Sequence, residues 1–167
     1  AALAAINSGL NEKLAHTRDD VLTAKLMFIK ALCQSDLVAE IECYQAIEDR
    51  FATSSEQAVR RLVAQAMINL SVTYTQNNQV EQAINTYQET IQRYGDDDNL
   101  SLREQVAKAM FNLGFTYNKN KQVDQSIDAY QTLIRLYGDD NSHQQQNQVV
   151  KAMIMLGIIY SQNNQID

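Results

Sequence analysis

The chain contains no proline, and its five glycines are spread over 167 residues. Proline and glycine are the residues that break helices and build tight turns, so their scarcity excludes a many-stranded sheet protein and favours helix before any pattern is read. Cysteine is almost as scarce. Cys33 and Cys43 cannot form a disulfide framework, and there is no second pair to complete a four-ligand zinc site. They are expected to be reduced, packed thiols in a cytoplasmic protein. Cys33 would be a nucleophile only beside a histidine in an open cleft, and packing on an amphipathic helix is the expectation. The two histidines, His16 and His143, are far apart in sequence and have no motif neighbour. Both read as exposed residues in segments between helices, not as metal ligands or bases.

Positive charge is also in deficit. A net charge of −6 and a pI near 4.9 argue against general affinity for phosphate backbones or anionic membrane surfaces. No stretch approaches the roughly 18 to 20 apolar residues that cross a bilayer, and Ala1 to Ile6 lack the basic flank and apolar core of a signal peptide. There is neither a glycine-rich phosphate loop nor a nucleophile elbow. The acidic runs Gly95-Asp-Asp-Asp98 and Gly138-Asp-Asp140 lack the alternating oxygen ligands and terminal glutamate of a calcium loop, and capping accounts for them better. The residues thus point to a binding protein, not an enzyme, with no cofactor, metal or nucleic acid.

What is present is a repeat. Val63-Ala-Gln-Ala-Met-Ile-Asn-Leu70 returns as Val106-Ala-Lys-Ala-Met-Phe-Asn-Leu113 and as Val149-Val-Lys-Ala-Met-Ile-Met-Leu156, each 43 residues on. Tyr44-Gln45, Tyr87-Gln88 and Tyr130-Gln131 keep the same interval, as do Phe51, Tyr94 and Tyr137. Such periodicity is the signature of a solenoid in which no unit can bury its apolar face alone.

Each unit reads as two helices. In the first, Val106, Met110, Leu113 and Tyr117 share one line, with Lys108, Asn112, Thr116 and Lys119 elsewhere on the surface. In the second, the stripe is Val123, Ile127, Tyr130, Ile134 and Tyr137. Asn77-Asn78-Gln79 and Asn118 to Gln122 supply the turn within each hairpin. Gly95 and Gly138 are expected to close the second helix in a left-handed conformation. Ser101 and Glu104 read as a reciprocal cap of the next helix, with Asp96 to Asp98 favourably placed at its N-terminus.

This unit resembles a tetratricopeptide repeat. The family pattern is a large apolar residue, Leu, a small residue and Tyr, followed in the second helix by a small residue and an aromatic. It is met by Met110, Leu113, Gly114, Tyr117, Ser126 and Tyr130, and by Met67, Leu70, Ser71, Tyr74, Ala83 and Tyr87. Met153, Leu156, Gly157 and Tyr160 begin it again. The unit exceeds the usual length of about 34 residues by about nine, read as a longer first helix with its capping loop. In the earliest unit Phe28 stands where a small residue is expected and Ala31 where Tyr belongs.

The resemblance implies an all-α fold, a right-handed α-solenoid (superhelix) of antiparallel helix hairpins. Residues 1–19 are expected to be the tail of a preceding repeat and a connector, 20–62 a degenerate repeat, 63–105 and 106–148 two full repeats, and 149–167 the first helix of a fourth. Ile166 takes the place of Val80 and Val123 at the start of a second helix, so a longer parent solenoid is the expectation.

In the family the first helices line the concave side and meet the ligand. The corresponding positions here are Ile68 and Val72, Phe111 and Phe115, and Ile154 and Ile158, with Gln65, Asn69, Lys108, Asn112, Asn118 and Lys151 as polar edges. Covering six such side chains is worth on the order of 9 to 18 kcal/mol before ordering costs. The occupant is either a protein or peptide segment laid along the groove or the solenoid's own packing; both readings stand. The Lys and Asn arrangement by which some members clamp a terminal carboxylate is absent from the matching positions. The resemblance therefore implies a protein-binding scaffold, or a regulatory or sensor solenoid controlling a catalytic domain elsewhere in the parent chain.

Overall fold

The structure, a computed structural model, describes residues 2–139 and 143–163; Asp140 of the second acidic run and Ile166 lie outside them. Among the described residues there are eight helices and no strand. They are α1 (Ala2–His16), α2 (Asp20–Leu32), α3 (Leu37–Phe51), α4 (Gln57–Gln76), α5 (Val80–Tyr94), α6 (Leu100–Lys119), α7 (Val123–Tyr137) and α8 (His143–Asn163). α3, α5 and α7 begin 43 residues apart, and so do α4, α6 and α8. The starts of α4, α6 and α8 precede Val63, Val106 and Val149, so much of the extra length of the unit is helix.

The chain divides into two compact units, Ala1–Ala83 and Ile84–Asp167. In the first, α2 packs on α1, α3 and α4, and α3 packs on α4. Phe28, standing in the place of a small residue, is buried and meets Tyr44 edge to face, with centroids 5.7 Å apart and planes at 62°. A bulky residue at that position thus changes how the tyrosine packs and leaves it buried.

In the second unit, α7 folds back on α6, and α8 packs on both. Gly114 is what permits the close α6–α7 approach. A Cβ there would lie 2.7 Å from the Tyr130 ring, and the Ser126 hydroxyl donates to the Gly114 carbonyl at 2.8 Å. Since α6 has neighbours on more than one side, its burial is broader than a single stripe. Leu102, Val106, Ala107 and Ala109 are fully buried, and Thr116 turns inward and donates to the Asn112 carbonyl at 2.8 Å. On α7 the buried line is Ser126, Tyr130, Leu133 and Tyr137, rotated from the expected stripe, with Ile127 and Ile134 half-buried.

Two details of punctuation differ from expectation. Gly138 is right-handed (φ −61°, ψ −36°), and neither it nor Gly95 has positive φ. The left-handed residues are Asn78 (φ 61°) and Lys121 (φ 60°), inside the hairpin turns. Gly95 and Gly138 serve a close approach instead, since a Cβ at either would sit 2.5 Å from the carbonyl oxygen of Ile91 or Ile134. Likewise the cap of α6 is Asn99, not Ser101. Asn99 has extended backbone and accepts from the Leu102 amide at 3.2 Å, while the Ser101 hydroxyl donates to the same Asn99 oxygen at 2.7 Å. Asp97 accepts from the Asn99 amide at 2.8 Å, so the acidic run holds the turn that presents the cap.

Candidate protein-binding faces

The expected contact residues fall on both units. In the first unit, Ile68 is fully buried in a helix that both α2 and α3 pack against, which corrects its placement on an accessible face. Val72 is 37% exposed, and Gln65 is half-buried. Asn69 is engaged internally: its amide donates to the Tyr44 hydroxyl at 3.1 Å.

In the second unit the expected apolar positions are more open. Phe115 on α6 and Ile154 and Ile158 on α8 are 43%, 57% and 44% exposed. Phe111 is half-buried, its ring centroid 5.7 Å from that of Tyr130. The Lys151 ammonium lies 5.9 Å from the Phe111 centroid, and Lys119 lies at the same distance from Phe115. Each lysine thus sits within cation–π range of a ring and leaves positive charge beside the apolar surface. Lys108 and Asn118 are half-buried. Asn112 again serves the interior, through a hydrogen bond to the Tyr87 hydroxyl.

The two asparagines therefore tie a second-helix tyrosine to the next first helix. A parallel set of bonds joins the same pairs of helices: Gln45 donates to Tyr74 at 2.8 Å, Gln88 to Tyr117 at 2.9 Å and Gln131 to Tyr160 at 3.0 Å. The Tyr-Gln dipeptides were visible in sequence as repeat markers. Their role was not, because a hydrogen bond to a helix 29 residues away leaves no local trace.

Burial pushes the Tyr44 hydroxyl up to about 12, the bond from Asn69 offsetting part of the effect. It pushes Tyr130 to about 12 and Tyr87 further in the same direction. These shifts belong to core packing, not to chemistry. Among the described residues no group of three or more His, Cys, Asp or Glu side chains is placed to hold a metal ion. His16 and His143 are exposed and occupy helix ends, not the loops expected. Cys33 caps the C-terminus of α2, and Cys43, raised by burial, lines a pocket of about 160 Å³ with Leu14, Met27, Lys30, Ala46 and Arg50. A larger cavity in the second unit, about 330 Å³, has Ile91, Met110, Leu113 and Tyr117 below and Gln88, Gln92 and Asp128 among its polar lining.

An all-helical repeat chain of this kind has a counterpart among known families. The family described as soluble NSF attachment protein, SNAP, matches residues 51–163. The chain belongs to the SNAP family. That match runs from the end of α3 through α8 and so includes all the hairpins in which the repeat is regular. SNAP proteins are helical-repeat, protein-interaction adaptors without catalytic activity, in keeping with a scaffold that binds protein. No curated protein sequence matches the chain significantly. No helix among the described residues is long and apolar enough to cross a membrane.

Proposed function

We propose that this SNAP-family chain is a cytoplasmic attachment scaffold that holds a protein or peptide segment against its first helices. The observation that carries the reading is the exposed apolar surface of Phe115, Ile154 and Ile158, edged by Lys119 and Lys151. Covering the roughly half of each side chain that is still exposed is favourable by about 0.7 to 1.5 kcal/mol apiece before ordering costs, and the lysines favour a segment that also carries carboxylates. On this reading each repeat is an extended tetratricopeptide hairpin of 43 residues, and the Asn and Gln ties keep its first helix in position.

The family description supplies the first partner to test, since its members are named for attachment to NSF. Purified NSF is passed over the immobilised chain, and capture is compared with that by Phe115→Ser combined with Ile158→Ser. Both side chains are substantially exposed, so the double variant keeps its helicity and loses capture. Equal capture by the double variant would place the partner elsewhere on the molecule.

A further inference from the structure

The side of α6 opposite Phe111 and Phe115 carries an inference independent of the first-helix contact surface. At about 100° per residue, Met110, Leu113 and Tyr117 share that side, and Met110 and Leu113 are 8% and 7% exposed. They floor the cavity of about 330 Å³ in the second unit, between a wall from α5 that includes Gln92 and a wall from α7 that includes Gln125 and Asp128. The three helices are consecutive and interior to the repeat series, with α4 before them and α8 after.

The first unit has a cavity in the same register. Its pocket of about 160 Å³ is lined by Met27, Cys43 and Ala46, whose counterparts two repeats on are Leu113, Ala129 and Thr132, all of which line the larger one. A depression at this place is therefore a property of the repeat, and its chemistry is what varies. The pocket in the first unit is lined by the cations Lys30 and Arg50 and by no acid. The cavity in the second unit is lined by Asp128 and by no cation.

We propose that the cavity in the second unit receives one arginine side chain from a partner polypeptide. A buried apolar floor under an exposed polar rim suits a side chain whose stem lies on apolar surface while its charged head stays near water. Met110 and Leu113 take the stem, and the Asp128 carboxylate accepts from the guanidinium. Gln88 already donates to the Tyr117 hydroxyl, so Gln92 and Gln125 supply the amide oxygens for the remaining donors. A planar fork with five donors can serve a carboxylate and two amides together, which the compact ammonium of lysine does less well. Because Gln92, Gln125 and Asp128 are all exposed, the polypeptide that carries the arginine has room to continue past the rim.

The test is a titration of the isotope-labelled whole chain with the peptide acetyl-Leu-Arg-Leu-amide, followed through backbone amide chemical shifts. Leu113, Ala129 and Thr132 should shift saturably at millimolar concentration, and acetyl-Leu-Glu-Leu-amide should leave them unmoved. Asp128→Asn should weaken binding on the order of fivefold, as for an ion pair at an exposed rim, and Asp128→Lys should abolish it. Asp128 is exposed, so both variants should keep their helicity and thermal midpoint. Phe115→Ser should leave affinity for the peptide unchanged, which separates this cavity from the first-helix surface. Absence of saturable shifts at the three amides overturns the proposal. So does undiminished binding to Asp128→Lys, equal binding of the glutamate peptide, or a set of shifts centred on Met27, Cys43 and Ala46.

Discussion

The Gln88 side-chain amide donates to the Tyr117 hydroxyl at 2.9 Å, joining the second helix of one hairpin to the first helix of the next. Its counterparts at Gln45 and Tyr74 and at Gln131 and Tyr160 make this bond a property of the repeat, independent of any one local sequence. Because the Gln88 pair is exposed, water competes for both partners and the net contribution is small. A double-mutant cycle of Gln88→Ala and Tyr117→Phe, measured by urea unfolding, should return a coupling of about 0.5 to 1 kcal/mol. A coupling indistinguishable from zero would reduce the tie to a geometric coincidence.

The tyrosine preceding each of these glutamines gives a sharper comparison. Tyr44 and Tyr87 are bonded to Asn69 and Asn112, but the position 43 residues beyond Asn112 is Met155. The fully buried Tyr130 hydroxyl has no hydrogen-bond partner in bonding geometry, and the neighbouring Ser126 hydroxyl is donating to Gly114. Replacement by phenylalanine should therefore cost about 1 kcal/mol at Tyr44 or Tyr87 and be neutral or slightly stabilising at Tyr130. Equal costs at all three positions would contradict this account.

Alkaline pH should expose the same three residues as a group. Their folded pKa values are raised, to about 12 for Tyr44 and Tyr130 and higher for Tyr87, because burial disfavours the phenolate. A raised folded pKa means that the native state holds its proton more tightly than the unfolded chain. The associated stability is complete below the unfolded value of about 10 and is lost as pH rises through the folded value. Tyrosinate absorbance should show Tyr44, Tyr87 and Tyr130 ionising only as helical circular dichroism falls. Ionisation of these three near pH 10 with helicity intact would be the contrary result.

Helix periodicity and the 43-residue interval were legible because apolar positions must recur wherever a helix meets a neighbour. Ile68 was misplaced for the complementary reason: its period gives a direction around α4, but not whether the degenerate hairpin before it leaves that direction open. Asn69 and Asn112 were read as polar edges of a binding face, and their bonds to Tyr44 and Tyr87 span 25 residues that no local pattern links. The left-handed turn residue was assigned to glycine by propensity. The left-handed residues are instead Asn78 and Lys121, in the turn inside each hairpin, and Gly95 and Gly138 serve where a carbonyl comes close.

Two glycines at equivalent positions should respond oppositely to the same substitution. Gly114→Ala drives a methyl to within 2.7 Å of the fully buried Tyr130 ring. Overpacking of this kind costs about 1 to 3 kcal/mol, and it outweighs the gain of up to about 1 kcal/mol from alanine's better helix propensity. Gly157→Ala has nothing within 4 Å to oppose it, so the propensity gain stands alone and stability should rise by about 0.5 to 1 kcal/mol. Paired denaturant titrations decide the matter. Destabilisation by Gly157→Ala would contradict the open surroundings of this glycine and the propensity account with it.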